Sequence, residues 1–355
     1  DPVKVMDVWQ MISWVDQPVV EALGADVLPV PRRFMEFGMR LDGWEPWKLE
    51  EGTPVQMPLT FRPIKQEDGS VYLYVDGKPV AMKVPGSPYF DNLIETSMEF
   101  IPPPVERIPL LPFSEEELEW RRHWAETLRA ETDKALVGDF GVNLGRWGSY
   151  QEWLYTIAAD PGWVRSWYDR KIELLLTDVK LYAQAVGNHI DAIYLMEDFG
   201  TQNSMLISPK TFEELVAPYY KRFFHWIHEN TQWKIFFHTD GAVYPIIDDL
   251  IDCGIDILNP PQTNAKGMDP NRLKAEFGDR LAFWGAGIET QDLLPFGSRE
   301  EIRAQVKERI NIFGPGGGYV FSTIHNIQYD VPLENLLTVY EAFQEFSHYP
   351  LCMDE

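Results

Sequence analysis

From Val137 onward, short apolar runs alternate with long amphipathic segments, the pattern of repeated strand-helix units around a parallel sheet. The clearest run is Asp191-Ala-Ile-Tyr-Leu-Met196, followed by Ser208-Pro209, a cap residue and a first-turn proline that predict a helix reaching about Glu229. Trp233-Lys-Ile-Phe-Phe237 predicts the next strand, with a helix near Val243 to Asp252, and a short run from Asp256 ends at Asn259. Leu281-Ala-Phe-Trp284 follows, then a helix from Ser298, where Ser298-Arg-Glu-Glu301 has the capping-box spacing. Tyr319-Val-Phe-Ser322 predicts the last strand and Pro332 to Glu345 the last helix. In the first half, Asp26 to Val30 and Leu136-Val137 are the best strand candidates, and an eighth strand does not stand out.

The stretch from about Leu59 to Asp91 breaks this rhythm. Val71-Tyr-Leu-Tyr-Val75 and Val80-Ala-Met-Lys-Val84 alternate in polarity on either side of Asp76-Gly77, which predicts a β-hairpin carried as an insertion. Pro102-Pro-Pro104 and Pro109 to Pro112 predict an extended link into a helix near Ser114 to Asp133. The expected architecture is α/β, a (β/α)8 barrel of one domain over 1–355 with the hairpin in its N-terminal third.

Composition narrows the partners. With 355 residues, 45% of them apolar and 24% charged, the chain can bury a large core. Asp and Glu number 55 against 31 Lys and Arg, a net charge of -24 that repels phosphate backbones and anionic lipid, so neither nucleic acid nor a membrane is an expected partner. No apolar run is long enough to span a bilayer. Cys253 and Cys352 cannot build a disulfide framework, which fits a reducing, cytoplasmic setting. The chain starts at Asp1 rather than Met, so what precedes it stays open, as does its assembly, for which a homodimer is one arrangement.

In a parallel barrel the chemistry stands at the C-terminal ends of the strands. Those ends supply Glu197 and Asp198, then His238 and Asp240, then Asn259, then Glu289 beyond Gly285 and Gly287, and finally His325 and Asn326. A lone acid past a strand usually caps a helix or sits in water, and a lone histidine often packs at the edge of a core. Convergence from independent strands carries the functional reading. His238 and Asp240, at i and i+2, face the same side, so they and Glu197 or His325 form a candidate metal set suited to zinc. A hydrogen-bonded His-Asp pair that moves protons has the same spacing. The candidate catalytic residues are therefore Glu197, Asp198, His238 and Asp240, the candidate ligands Glu197, His238 and Asp240, and the substrate contacts Asn259, Glu289, His325 and Asn326. Gly314-Pro-Gly-Gly-Gly318 lacks the Lys-Ser/Thr ending of a phosphate loop and reads as a turn requiring positive φ.

Taken in order, Glu197-Asp-Phe-Gly-Thr-Gln202 with Ile207-Ser-Pro209, Phe237-His-Thr-Asp-Gly241, Gly254-Ile-Asp-Ile-Leu-Asn-Pro260, Phe283-Trp-Gly-Ala-Gly-Ile288, and Gly316-Gly-Gly-Tyr319 leading to His325 and Pro332-Leu-Glu-Asn335 resemble the uroporphyrinogen decarboxylase-like superfamily, in its corrinoid-linked methyltransferase branch. The resemblance covers roughly 135 to 345 and implies the closed barrel. It also implies methyl transfer from a small methylated compound to a corrinoid protein, the chain serving as an O- or N-demethylase component, with zinc as the activating metal. The corrinoid would be supplied by a partner, because this chain has no Asp-x-His-x-x-Gly motif. Two departures matter. The Met-Arg-Gln-Ala-Gly-Arg motif that cradles porphyrinogen carboxylates is missing, and Asp240 stands where zinc-dependent members carry cysteine, so a histidine-carboxylate zinc set is implied instead. A cofactor-independent decarboxylase or lyase acting on a small carboxylated compound is the alternative.

Overall fold

The computed structural model describes residues 2–87, 89–92 and 101–351. The chain divides into two compact units, one made of residues 1–101, 113–141 and 184–189, the other of 102–112, 142–183 and 190–355.

The first unit is richer in β-structure than its sequence suggests. Val71–Val75 and Lys78–Lys83 pair antiparallel, and Asp76 and Gly77 both take positive φ (50° and 75°), the requirement of the tight turn that matches strand twist. This hairpin is not an isolated arm. It sits at the centre of a four-stranded antiparallel sheet with Pro63–Lys65 and Asp91–Asn92. A second sheet joins Ile12–Ser13, Val3–Asp7, Pro54–Pro58 and Trp44–Lys48 in that order. Leu73 and Ala81 of the hairpin share one apolar core with Val5, Val55, Met57, Phe61 and Phe90. These short strands escape a reading for apolar runs because Pro54, Pro58 and Pro63 interrupt them. The same unit pairs Val27–Val30 in parallel with Ala135–Asn143, Leu28 beside Leu136. Helix Glu115–Glu131 starts where expected, with the Ser114 hydroxyl accepting from the Glu117 amide.

The second unit carries five parallel strands, Ala192–Met196, Lys234–His238, Ile257–Asn259, Ala282–Trp284 and Tyr319–Val320, each hydrogen-bonded to the next. Ile193, Leu195, Phe237, Leu258 and Phe283 are fully enclosed and in register share one face of the sheet, while on the other Phe236 is buried and Tyr194, Ile257, Ala282 and Trp284 are half-buried. Met196, His238 and Asn259 lie in one register row, which brings three strand ends level. Among the described residues the fold is α/β with seven parallel strands, and the eighth that a closed (β/α)8 barrel requires is not among them.

Most helices match their sequence signals. The Ser298/Glu301 capping box forms reciprocally at the start of Arg299–Phe313, and Leu333–Phe346 closes the chain. The helix expected from Ser208 to about Glu229 is instead two, Pro209–Leu215 and Ala217–Asn230. Pro218 has no N–H to give the Glu214 carbonyl, which accepts from Arg165 at 2.9 Å instead. The last strand stops at Val320, two residues early. Gly316, Gly317 and Gly318 all take positive φ, as a turn rather than a phosphate loop demands. Cys253 is a buried free thiol, and Cys352 lies outside the described residues. No helix among the described residues is long and apolar enough to cross a membrane.

Candidate metal centre

Two strand-end loops are stitched into one block. The Glu197 amide donates to the His238 carbonyl, the Phe199 amide to the Thr239 hydroxyl, the Asp240 amide to Asp198 Oδ1 at 3.0 Å, and the Ala242 amide to the Thr201 carbonyl. Glycine permits the close approach. A Cβ on Gly241, whose φ is +91°, would fall 2.4 Å from the Gly200 backbone, and one on Gly200 would fall 2.6 Å from the Asp240 carbonyl oxygen. The Glu-Asp-Phe-Gly and His-Thr-Asp-Gly motifs thus dock backbone to backbone, and this fixes Asp198 against Asp240.

Within that block, Asp198, His238 and Asp240 each offer a ligand atom, all within 4.8 Å of one another. His238 Nε2 is 3.4 Å from Asp240 Oδ2, as i and i+2 side chains on one face should be. On its other side His238 Nδ1 is 2.7 Å from Asn259 Oδ1, while the Asn259 amide nitrogen donates to the Trp284 carbonyl at 2.8 Å. That second bond orients the amide, so Asn259 presents an acceptor and Nδ1 carries the proton. In the neutral ring Nε2 thus keeps its lone pair for a cation held among the carboxylates, the arrangement typical of metal-bound imidazole, and a second proton there bonds to Asp240 instead. Asp240 Oδ1 is enclosed and has no hydrogen-bond partner among the described residues. An imidazole, two carboxylates and an orphaned buried oxygen fit a divalent cation such as zinc.

Charge tunes the same groups. Burial alone would pull the His238 pKa down, but the hydrogen bond and charge of Asp240, with the Asp198 charge and the Asn259 contact, carry it above the usual histidine value. Asp240 resists the upward push of burial through His238 and His325 and titrates below the usual carboxylate range. His325 Nε2 stands 3.6 Å from Asp240 Oδ2.

The two adjacent acids at the first strand end separate. Glu197, expected among the ligands, stands apart from the cluster: it is 4% exposed and accepts from the Arg146 amide at 3.1 Å, with the Arg146 guanidinium 3.7 Å away. Burial pushes its carboxyl up to about 7 against the Arg146 charge. Asp198 Oδ2 accepts from the Tyr150 hydroxyl at 3.2 Å, and the Arg146 guanidinium lies over the Tyr150 ring. Burial and the charges of Asp198 and Glu197 hold the Tyr150 phenol protonated as a donor. Sequence reasoning missed Arg146 and Tyr150. They lie just past the end of strand Ala135–Asn143, on its loop and on the first residue of helix Tyr150–Ala159; the apolar run that signals this strand stops at Val137, and the Ser149/Glu152 capping box was the available signal.

Glu289, expected among the substrate contacts, is buried and its carboxylate accepts from the amides of Gln291, Asp292 and Leu293 and from Asn264 Nδ2, so it holds a turn. His325 and Asn326, by contrast, line a cavity of about 520 Å³ whose wall also includes Asp240, Gln202, Gln262, Asn264 and Gln291. The cluster therefore opens through Asp240 and His325 onto a space large enough for a small ligand.

Strand-end carboxylates and an imidazole gathered beside a cavity on a parallel α/β scaffold define an enzyme-type site. The chain belongs to the uroporphyrinogen decarboxylase (URO-D) family, whose model matches residues 168–346, half its length. It is 23% identical over 276 residues to the uroporphyrinogen decarboxylase of Mannheimia succiniciproducens, covering 73% of this chain and 72% of that one. It is 29% identical over 113 residues to that of Methylococcus capsulatus, covering 32% of this chain and 30% of the relative. A solved methyltransferase from Methanosarcina mazei superposes with a TM-score of 0.54 at 18% identity, over 93% of this chain and 83% of that one, a likeness of fold.

Proposed function

We propose that this protein is a methyltransferase that takes a methyl group from a small methylated compound and passes it to a corrinoid carried by a partner protein. The observation that carries the reading is the Asp198–His238–Asp240 cluster with its orphaned Asp240 oxygen at the edge of the cavity. Zinc held there, when bound, supplies a Lewis acid that makes the donor's heteroatom a better leaving group. The chain's own residues do the rest. Asn259 sets the tautomer of His238, Tyr150 holds Asp198, and His325 and Asn326 position the donor from the cavity wall. Glu197, with its carboxyl near neutrality, holds the Arg146 loop behind the cluster.

Decarboxylation of a porphyrinogen is disfavoured by the same cavity. Among the described residues, its wall includes neither arginine nor lysine, so a polycarboxylate would meet Asp240 and Asp330 with no countercharge. The test is elemental analysis of the purified protein and of His238→Ala, with spectral assay of cob(I)alamin methylation across methyl donors. Stoichiometric metal lost in the variant, and methylation from at least one donor, is expected. A metal-free protein that methylates cob(I)alamin with no donor overturns the reading.

A further inference from the structure

We infer that the cavity beside Asp240 takes an uncharged methyl donor bearing several hydroxyl groups, and that Asn264 accepts a hydrogen bond from one of them. The inference rests on the methyl-transfer reading for the word donor, and on the cavity alone for the chemistry of the ligand.

Six side chains of the wall are neutral amides: Gln202, Gln262, Asn264, Gln291, Asn326 and Gln328. Besides these the wall carries Asp240, Asp330 and the His325 imidazole, and among the described residues no phenyl, phenol or indole ring and no arginine or lysine. A methoxyarene would find a single imidazole rather than an aromatic slot, a quaternary ammonium no aromatic cage, and a carboxylate or phosphate neither arginine nor lysine. Amides present donors and acceptors at equal density, the complement of hydroxyl groups, which also do both.

The orientation of four of these amides is fixed by a chain of hydrogen bonds. The Gly241 amide donates to Gln262 Oε1 at 2.7 Å, so Gln262 Nε2 gives to Gln202 Oε1 at 2.9 Å, and Gln202 Nε2 gives to the Asn264 carbonyl at 2.6 Å. Asn264 Nδ2 then donates to Glu289 Oε1 at 3.0 Å and to Gln291 Oε1 at 2.8 Å. Both Glu289 oxygens already accept backbone amides and face Asn264 Nδ2 as acceptors, so the Asn264 amide does not turn over. Its Oδ1 is left enclosed, with no hydrogen-bond partner among the described residues. Gln291, whose oxygen is used, presents Nε2 as a donor. An unmet acceptor and an oriented donor on one cavity wall are what hydroxyl groups satisfy.

Calorimetric titration of the purified full chain with methyl α-glucopyranoside and a methylated inositol, against vanillate, glycine betaine and trimethylamine, tests this. Saturable binding of the methylated polyols is expected, at least about tenfold tighter than any other probe, and weakened about tenfold by Asn264→Leu or Gln291→Leu, the loss of one hydrogen bond. The second variant leaves the Glu289 contact in place should the first fail to fold. Preference for vanillate, betaine or trimethylamine overturns the inference, as does binding of none of the probes, or polyol affinity unmoved in both variants. No corrinoid enters this titration. Polyol binding without cob(I)alamin methylation therefore removes the methyl-transfer reading and keeps the cavity assignment, whereas methylation from vanillate does the reverse.

Discussion

His238 Nδ1 lies 2.7 Å from Asn259 Oδ1, and the Asn259 amide nitrogen is spent on the Trp284 carbonyl. Three neighbouring strands thus cooperate to keep the proton of the neutral ring on Nδ1 and to turn Nε2 toward Asp240. Asn259→Leu removes the acceptor and frees the tautomer, so zinc affinity should fall about 10- to 100-fold while the melting temperature changes little. Asn259→Asp keeps an acceptor and should stay near wild type. Competition against a chromogenic chelator reads the difference, and equal zinc affinity in all three proteins would show that Asn259 does not set the ligand.

Much of this centre was legible in the sequence, for a simple geometric reason. Parallel strands end in level rows, so His238, Asp240 and Asn259 could be placed together from register and two-residue alternation alone. The adjacent acids were not separable that way. Whether Glu197 or Asp198 joins the cluster depends on a side chain's partners, and Arg146, 51 positions upstream, claims Glu197. Tyr150, Gln262 and Asn264 lie in loops or at a helix start, where no period exists to read. A carboxylate just past a strand looks the same in sequence whether it faces a ligand or, as Glu289 does, three amides of its own turn. The first unit's second sheet escaped because its strands are short and proline-bearing, held by a shared core rather than by any one run.

The docking of the two motif loops makes a prediction that neither motif makes alone. At Gly241 a methyl group would require the Gly200 backbone to retreat from 2.4 Å, and the residue would also hold an unfavourable φ of +91°. Backbone cannot yield as a side chain can, so Gly241→Ala should drive Asp198 away from Asp240. We expect loss of bound metal together with a stability loss of about 2 kcal/mol or more. A Gly241→Ala protein that binds metal and melts like wild type would refute the backbone docking.

Glu289 gives the opposite separation, stability without direct chemistry. Glu289→Ala leaves the amides of Gln291, Asp292 and Leu293 and the Asn264 side chain without their acceptor. The expected cost is about 1–3 kcal/mol of folding stability, read by urea denaturation. Metal content should be unchanged, because Glu289 is outside the cluster. Loss of metal at unaltered stability would place Glu289 in the centre after all.

Asp7 ends the N-terminal strand, buried, and accepts from the Trp9 amide at 2.7 Å. Burial first, and then the Glu36 charge, push its carboxyl up to about 6 from an ordinary 3.8, against the backbone amides of Gln10 and Trp9 and the Arg32 charge. A carboxyl whose folded pKa is raised binds its proton more tightly in the folded chain. Its contribution to stability is therefore complete below the unfolded pKa and disappears as pH climbs through the folded one, between about pH 4 and pH 6. At neutral pH the folded chain carries a buried charge that disfavours it by up to about 3 kcal/mol. Asn at this position keeps an oxygen for the Trp9 amide and never ionises. Asp7→Asn should thus match wild type in melting temperature at about pH 4 and exceed it at about pH 8, with the gap opening between. A gap that is constant across this range, or that opens on acidification, would mean that Asp7 is ionised in the folded chain throughout.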